Sequence, residues 1–194
     1  MSKDGVDSGR RRFLLWSTSA VGAVGAVGIA VPFVKSWSPS ARAEAAGAPV
    51  EVNVGKMKPG QAIRAEWRGK PIFVLKRSQE SLDKLQQIND LLKDPESQKD
   101  TVKQPDYITG INRSIRDDIL VVIGICTHLG CVPQQREQLS PEEGGGFFCP
   151  CHGSKFDMAG RVFSGVPAND NLEVPPYSFI DDNTIIIGVD KGAA

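Results

Sequence analysis

All four cysteines and both histidines of this 194-residue chain fall between positions 126 and 152. Scattered structural residues would not cluster so, and one metal or cluster site explains the grouping most economically. The residues stand in two boxes, Cys126-Thr127-His128-Leu129-Gly130-Cys131 and Cys149-Pro150-Cys151-His152-Gly153-Ser154. Each box supplies one Cys and one His within two or three residues, so each loop can ligate one side of a small centre. Gly130 and Gly153 relieve crowding where the backbone wraps closely.

Three chemistries compete for these residues. Zinc accepts two Cys and two His, but its usual ligand pairs keep Cys with Cys and His with His. Here each loop mixes the types, and two further cysteines stay unexplained. A thioredoxin-type site needs Cys-x-x-Cys beside a βαβ unit, whereas Cys149-x-Cys151 has the wrong spacing. The third option gives one iron two thiolates and the other iron two imidazoles, a [2Fe-2S] ligation that matches the mixed boxes.

The rest of the chain reads as an address, a tether and a β-rich head. Arg10-Arg11-Arg12-Phe13-Leu14 has the form of a twin-arginine export signal. No charge interrupts Phe13 to Val34, a stretch of roughly 33 Å as a helix, against a hydrocarbon core of about 30 Å. That length favours a retained transmembrane anchor over a cleaved signal, although Ala41-Arg42-Ala43 resembles a cleavage site. Gly22, Gly25 and Gly28 lie near one helix face and either allow close helix packing or simply moderate hydrophobicity. The expected division is a cytoplasmic segment 1–12, an anchor 13–34, a flexible small-residue hinge 35–49 and a soluble domain 50–194. Formal charge balances at zero, which gives no electrostatic case for nucleic acid.

In the soluble part, Val50–Val54, Pro71–Leu75, Ile119–Ile125, Phe147–Phe148 and Thr184–Val189 carry strand signals. Lys58-Pro59-Gly60, Arg68-Gly69-Lys70 and Asp181-Asp182-Asn183 punctuate them as turns. One helix is expected, capped by Ser78 or Ser81, striped by Leu82, Leu85, Ile88, Leu91 and Leu92, and stopped by Pro95. The fold class is mostly antiparallel β with one inserted helix, preceded by a single transmembrane helix.

The two boxes resemble those of Rieske proteins. The anchor, the hinge, Arg113-Ser114-Ile115-Arg116 and Leu172-Glu173-Val174-Pro175-Pro176-Tyr177 extend the resemblance to the Rieske iron-sulfur subunits of proteobacterial cytochrome bc1 complexes, over essentially the whole chain. The resemblance implies a Rieske-type β-sandwich head with its cluster-binding subdomain at about 120–175. It implies one [2Fe-2S] cluster on Cys126, His128, Cys149 and His152, a Cys131–Cys151 disulfide, and a hydroxyl from Ser154 toward a sulfur. It further implies that His152, with His128 beside it, meets ubiquinol at cytochrome b, and that the electron then passes to cytochrome c1. The setting implied is a dimeric complex in the cell inner membrane, with a single-pass anchor, a periplasmic head and a cytoplasmic amino end.

Two positions depart from relatives. Phe156 stands where many carry Tyr, which implies a lower potential, and Asn169 follows Gly165-Val166-Pro167-Ala168 where another Pro is common, which puts the rigidity of that loop in question. Because the iron's charge shifts the proton affinity of a ligated imidazole, electron and proton uptake should be coupled, with a potential that falls with pH at high pH. A second reading keeps the cluster but makes the chain the small subunit of arsenite oxidase. A non-redox zinc protein is the third.

Overall fold

The computed structural model describes Gly5 and residues 7–101 and 103–190. Residues 1–4 and 6 of the segment expected to be cytoplasmic, and 191–194 of the soluble domain, lie outside the described residues. The chain divides into two compact units, Met1–Ala45 and Ala46–Ala194.

The first unit is dominated by α1 (Ser8–Ser36), a 29-residue helix of about 43 Å, longer than a hydrocarbon core. Asp7 caps it, its Oδ1 accepting from the N–H groups of Gly9 and Arg10 at 2.9 and 3.3 Å. No α1 side chain is buried, as expected of a helix whose solvent is lipid. The segment expected to be a flexible hinge contains α2 (Ala41–Gly47). Its alanines favour the helix, and the Ser40 hydroxyl accepts from Ala43 N–H at 3.2 Å. The far end of that segment is also held, since Ala46 O accepts from the Arg68 N–H at 2.8 Å.

Among the described residues, the second unit is built from nine short strands: β1 (Val50–Asn53), β2 (Ala62–Trp67), β3 (Lys70–Lys76), β4 (Ile119–Ile123), β5 (Gln134–Ser140), β6 (Gly144–Phe148), β7 (Lys155–Asp157), β8 (Tyr177–Asp181) and β9 (Thr184–Ile187). They form three antiparallel sheets ordered β1-β9-β8, β2-β3-β4 and β5-β6-β7. The mostly β class is as the sequence implies. Strand β4 is buried at every position, which is why it reads as an unbroken apolar run rather than an alternation. Arg68 and Gly69, both at positive φ (51° and 71°), make the two-residue turn that pairs Trp67 with Lys70.

The inserted helix α3 (Gln79–Gln87) is capped by Ser78, whose hydroxyl accepts from Ser81 N–H at 3.1 Å. It ends at Gln87, short of the expected stop at Pro95, and continues only as a 3-10 turn over Asn89–Leu91. The reason lies far along the chain. Arg161 donates to Leu85 O at 2.7 Å and to Asn89 Oδ1 at 2.8 Å, taking acceptors at the helix end, while Leu92 bridges to Phe163.

Candidate metal centre

The two boxes fold into matching loops. The first follows β4, and Gly130 N–H returns to Cys126 O at 3.0 Å while Cys126 N–H donates to Cys131 O at 2.7 Å. The second follows β6, and Gly153 N–H returns to Cys149 O at 2.9 Å while Cys149 N–H donates to Ser154 O at 2.8 Å. Each closure needs a left-handed residue four positions after the Cys, and Gly130 and Gly153 supply it at φ 84° and 79°. Cys131 and Cys151 form a disulfide that joins the loops, with Cα atoms 6.7 Å apart.

Between the loops, Cys126 and Cys149 remain free and are each only 2% exposed. The His128 and His152 rings stand edge to face with centroids 4.8 Å apart. The arrangement is graded, with buried thiols inside, a half-buried His128, and an exposed His152 at the surface. Burial pushes the Cys126 thiol above its ordinary value, and the neighbouring Cys149 adds to this. The His128 backbone N–H and the Ser154 hydroxyl act in the opposite direction. His128 Nδ1 is buried without a hydrogen-bond partner, which is what a nitrogen reserved for a metal looks like. The Cys131, Cys149 and Cys151 sulfurs also lie within 4.8 Å of one another, but two of them are consumed by the disulfide. The donors that fit a [2Fe-2S] group are two buried free thiols and two adjacent imidazoles.

Ser154, the last residue of the second box, is fully buried, and its hydroxyl oxygen accepts from Ala168 N–H at 3.0 Å. Ala168 belongs to the Gly165–Ala168 loop, so that loop reaches the centre from a third side. Thr127, inside the first box, donates to Asp170 O at 2.6 Å and fastens the same loop from another direction.

The flanking stretches that carried the resemblance meet each other. Arg113, fully buried at φ 49°, donates to Leu172 O at 2.7 Å and to Ala159 O at 3.0 Å. Tyr177 Oη accepts from Ile115 N–H at 2.9 Å. A buried ion pair lies just beyond the second box, where Arg161 Nε donates to Asp157 Oδ2 at 2.7 Å. Neither Asp157 nor Arg161 is conspicuous in sequence, because a charged pair four residues apart usually reads as a solvated surface.

These loops on an antiparallel β scaffold define a Rieske-type iron-sulfur protein. Residues 49–177 match the Rieske [2Fe-2S] domain, and residues 1–40 match "Ubiquitinol-cytochrome C reductase Fe-S subunit TAT signal". The ubiquinol-cytochrome c reductase iron-sulfur subunit of Allochromatium vinosum is 51% identical, covering 100% of this chain and 95% of that protein. Its counterpart from Bradyrhizobium diazoefficiens is 44% identical over 92% of this chain and 94% of its own length. The mitochondrial Rieske subunit of the cytochrome b-c1 complex of Candida albicans is 38% identical over 91% of this chain and 75% of its own. The chain belongs to the family of ubiquinol-cytochrome c reductase iron-sulfur subunits. Its cofactor is a Rieske-type [2Fe-2S] cluster, and with α1 it is a membrane-anchored protein.

Proposed function

We propose that the chain is the redox subunit of ubiquinol:cytochrome c reductase, taking electrons from ubiquinol at a cytochrome b partner and delivering them to cytochrome c1. The observation that carries this is the gradient at the site, from buried thiols to an exposed imidazole. Relatives along the full length carry that enzyme's name, so the arsenite-oxidase reading is not favoured.

In this reading Cys126 and Cys149 hold one iron and His128 and His152 the other. When bound, the cluster supplies a one-electron couple that mixed Cys/His ligation raises to roughly −150 to +300 mV. The protein's own residues do the rest. His152, exposed, offers its free ring nitrogen to the quinol hydroxyl. On the pattern of His128, whose Nδ1 is the buried nitrogen, that atom is Nε2. The imidazole takes the hydroxyl proton there as the electron leaves, and later releases it to water. Ser154 offers its hydroxyl to a sulfur of the centre, favouring the electron-rich state. Cys131–Cys151 keeps the two loops in register in an oxidising compartment.

The bounds of the sequence division carry over, with 120–175 as the cluster-binding part and the head's edge moved to Ala46. Arg10, Arg11 and Arg12 stay cytoplasmic and the head is periplasmic, in a complex that is itself dimeric. The hinge works through α2, whose seven residues bury nothing and fall below the about 12–15 residues at which an isolated helix becomes even marginal.

Dithionite-reduced membranes should give a rhombic [2Fe-2S] EPR signal whose line shape changes with a quinol-site inhibitor. A cluster signal indifferent to that inhibitor refutes quinol oxidation, and no cluster signal refutes the site. Protease treatment of spheroplasts should remove the head, and a fully protected head refutes the periplasmic placement.

A further inference from the structure

The Gly165–Ala168 loop lacks a second proline, yet its carbonyls are not free. Lys93 Nζ donates to Val166 O at 2.8 Å, to Ala168 O at 2.7 Å and, more weakly, to Asn169 Oδ1 at 3.4 Å. An ammonium has three protons, and all three have acceptors. The Lys93 backbone is also fixed, since its N–H donates to Val162 O at 3.0 Å beside the Leu92–Phe163 bridge. Further bonds from the same inserted segment support the hold, Lys99 Nζ to Asn169 O at 3.0 Å and Thr101 Oγ1 to Asp170 Oδ1 at 2.6 Å. Cross-links from the insertion thus do what a second proline ring would do by restricting φ.

The two short lysine contacts flank one peptide, Pro167–Ala168, whose N–H is the group bonded to Ser154 Oγ at 3.0 Å. That hydroxyl cannot point its hydrogen at the amide that donates to it. Its hydrogen is left for the sulfur side of the site, where the Rieske reading expects a donor.

Resting on the Rieske reading above, we propose that Lys93 is a positioning residue for the cluster: it brackets the Pro167–Ala168 peptide, seats Ala168 N–H on Ser154, and so leaves the Ser154 hydroxyl to donate to a sulfur of the centre. Its charge acts in the same direction, because a cation held near the site favours the reduced, more negative state. The tuning of this centre therefore extends into the inserted helix segment, outside both boxes.

The test uses the full-length protein in detergent, with Lys93→Met, which keeps the aliphatic stem, and Lys93→Arg, which keeps the charge. Midpoint potential of the loaded fraction is read by protein-film voltammetry at one pH, and exchange at the Ala168 amide by mass spectrometry. Lys93→Met should shift the reduced-to-oxidised ratio at a set potential roughly threefold to tenfold toward oxidised, tenfold being about 59 mV for one electron. Ala168 exchange should accelerate in the same variant, and Lys93→Arg should recover most of both changes. An unchanged potential in Lys93→Met overturns the proposal even if iron content falls, because a plain strap would lower loading without moving the potential. Unchanged Ala168 exchange overturns it as well. If Lys93→Met does not accumulate, Lys93→Gln replaces it, with an intermediate shift expected and wild-type values overturning. A wild-type protein without a cluster signal would instead break the Rieske reading, and Ala168 exchange would still decide the bracketing.

Discussion

Arg161→Met should be among the most damaging single changes outside the cluster loops. The guanidinium and the Asp157 carboxylate are both 0% exposed and meet at 2.7 Å. Arg161 also donates to Asn89 Oδ1 at 2.8 Å, Pro95 O at 3.1 Å and Leu85 O at 2.7 Å. Methionine fills much of the space but leaves a buried carboxylate without its cation and three acceptors without donors. Breaking a buried pair from one side costs about 3–5 kcal/mol. At about 2–4 °C per kcal/mol for a domain of this size, the head's melting temperature should fall by roughly 6–20 °C. Asp157→Asn should cost less, because two backbone N–H groups, of Ala159 and Arg161, still meet its side-chain oxygen at 2.8 Å. The double variant should lose less than the two singles added together. Thermal melts followed by circular dichroism on all four proteins give the cycle. A drop under about 3 °C for Arg161→Met, or strict additivity, would refute the view that this pair organises the turn behind the second box.

Phe156 is fully buried in β7 opposite Phe147, and Phe156→Tyr should raise the midpoint potential by adding a hydroxyl donor near the centre; voltammetry showing no change or a fall would sink the idea. Cys131→Ser should cost about 3 kcal/mol for a loop of this length, seen as lower iron content and a lower melting temperature, whereas wild-type loading would show that the disulfide is dispensable. Burial raises the Tyr177 hydroxyl from 10.0 to about 12, so its contribution is complete below about pH 10 and is lost as pH rises through 12. The stability advantage of wild type over Tyr177→Phe should therefore shrink in alkaline titration above pH 10, and a constant difference up to pH 12 would contradict the assignment.

The residues of the centre were legible because Cys, His and Gly announce themselves by type, and each box closes on itself within five residues. Strands β4 and β9 were legible for a related reason, since β-branched runs with a buried face leave a local signature. Strand β5 left none. Its residues Gln134–Ser140 are largely exposed and alternate nothing. Strand β6 begins Gly144-Gly145-Gly146, which reads as a breaker. In the fold those positions must be bare, because a Cβ at Gly145 would meet Met158 and one at Gly146 the Phe156 backbone. The end of α3 was hidden for a further reason, since Arg161 Nη2 reaches Leu85 O from 76 residues away. Local pattern reports local causes. Lys93 carries no local signature for the same reason, its partners lying 73 and 75 residues downstream.

The same long-range bonds explain why three arginines are buried in so small a head. Residues 158–160 form an irregular turn behind the centre, and its carbonyls are cut off from water. Backbone carbonyls in that position need donors. Arg77 supplies Met158 O at 3.3 Å, and Arg113 supplies Ala159 O at 3.0 Å and Gly160 O at 3.3 Å. Burial lowers both guanidiniums to about 10, yet both stay charged at neutral pH. A hydrophobic replacement would pack there but leave Met158 O and Ala159 O unmatched, Gly160 O alone keeping a donor in the Leu172 N–H. The turn follows β7, which pairs with β6, and β6 delivers Cys149 and His152. Arg77 and Arg113 come from chain segments before the first box. The two boxes are thus held in register twice, in front by the disulfide and behind by guanidiniums that bind carbonyl oxygens.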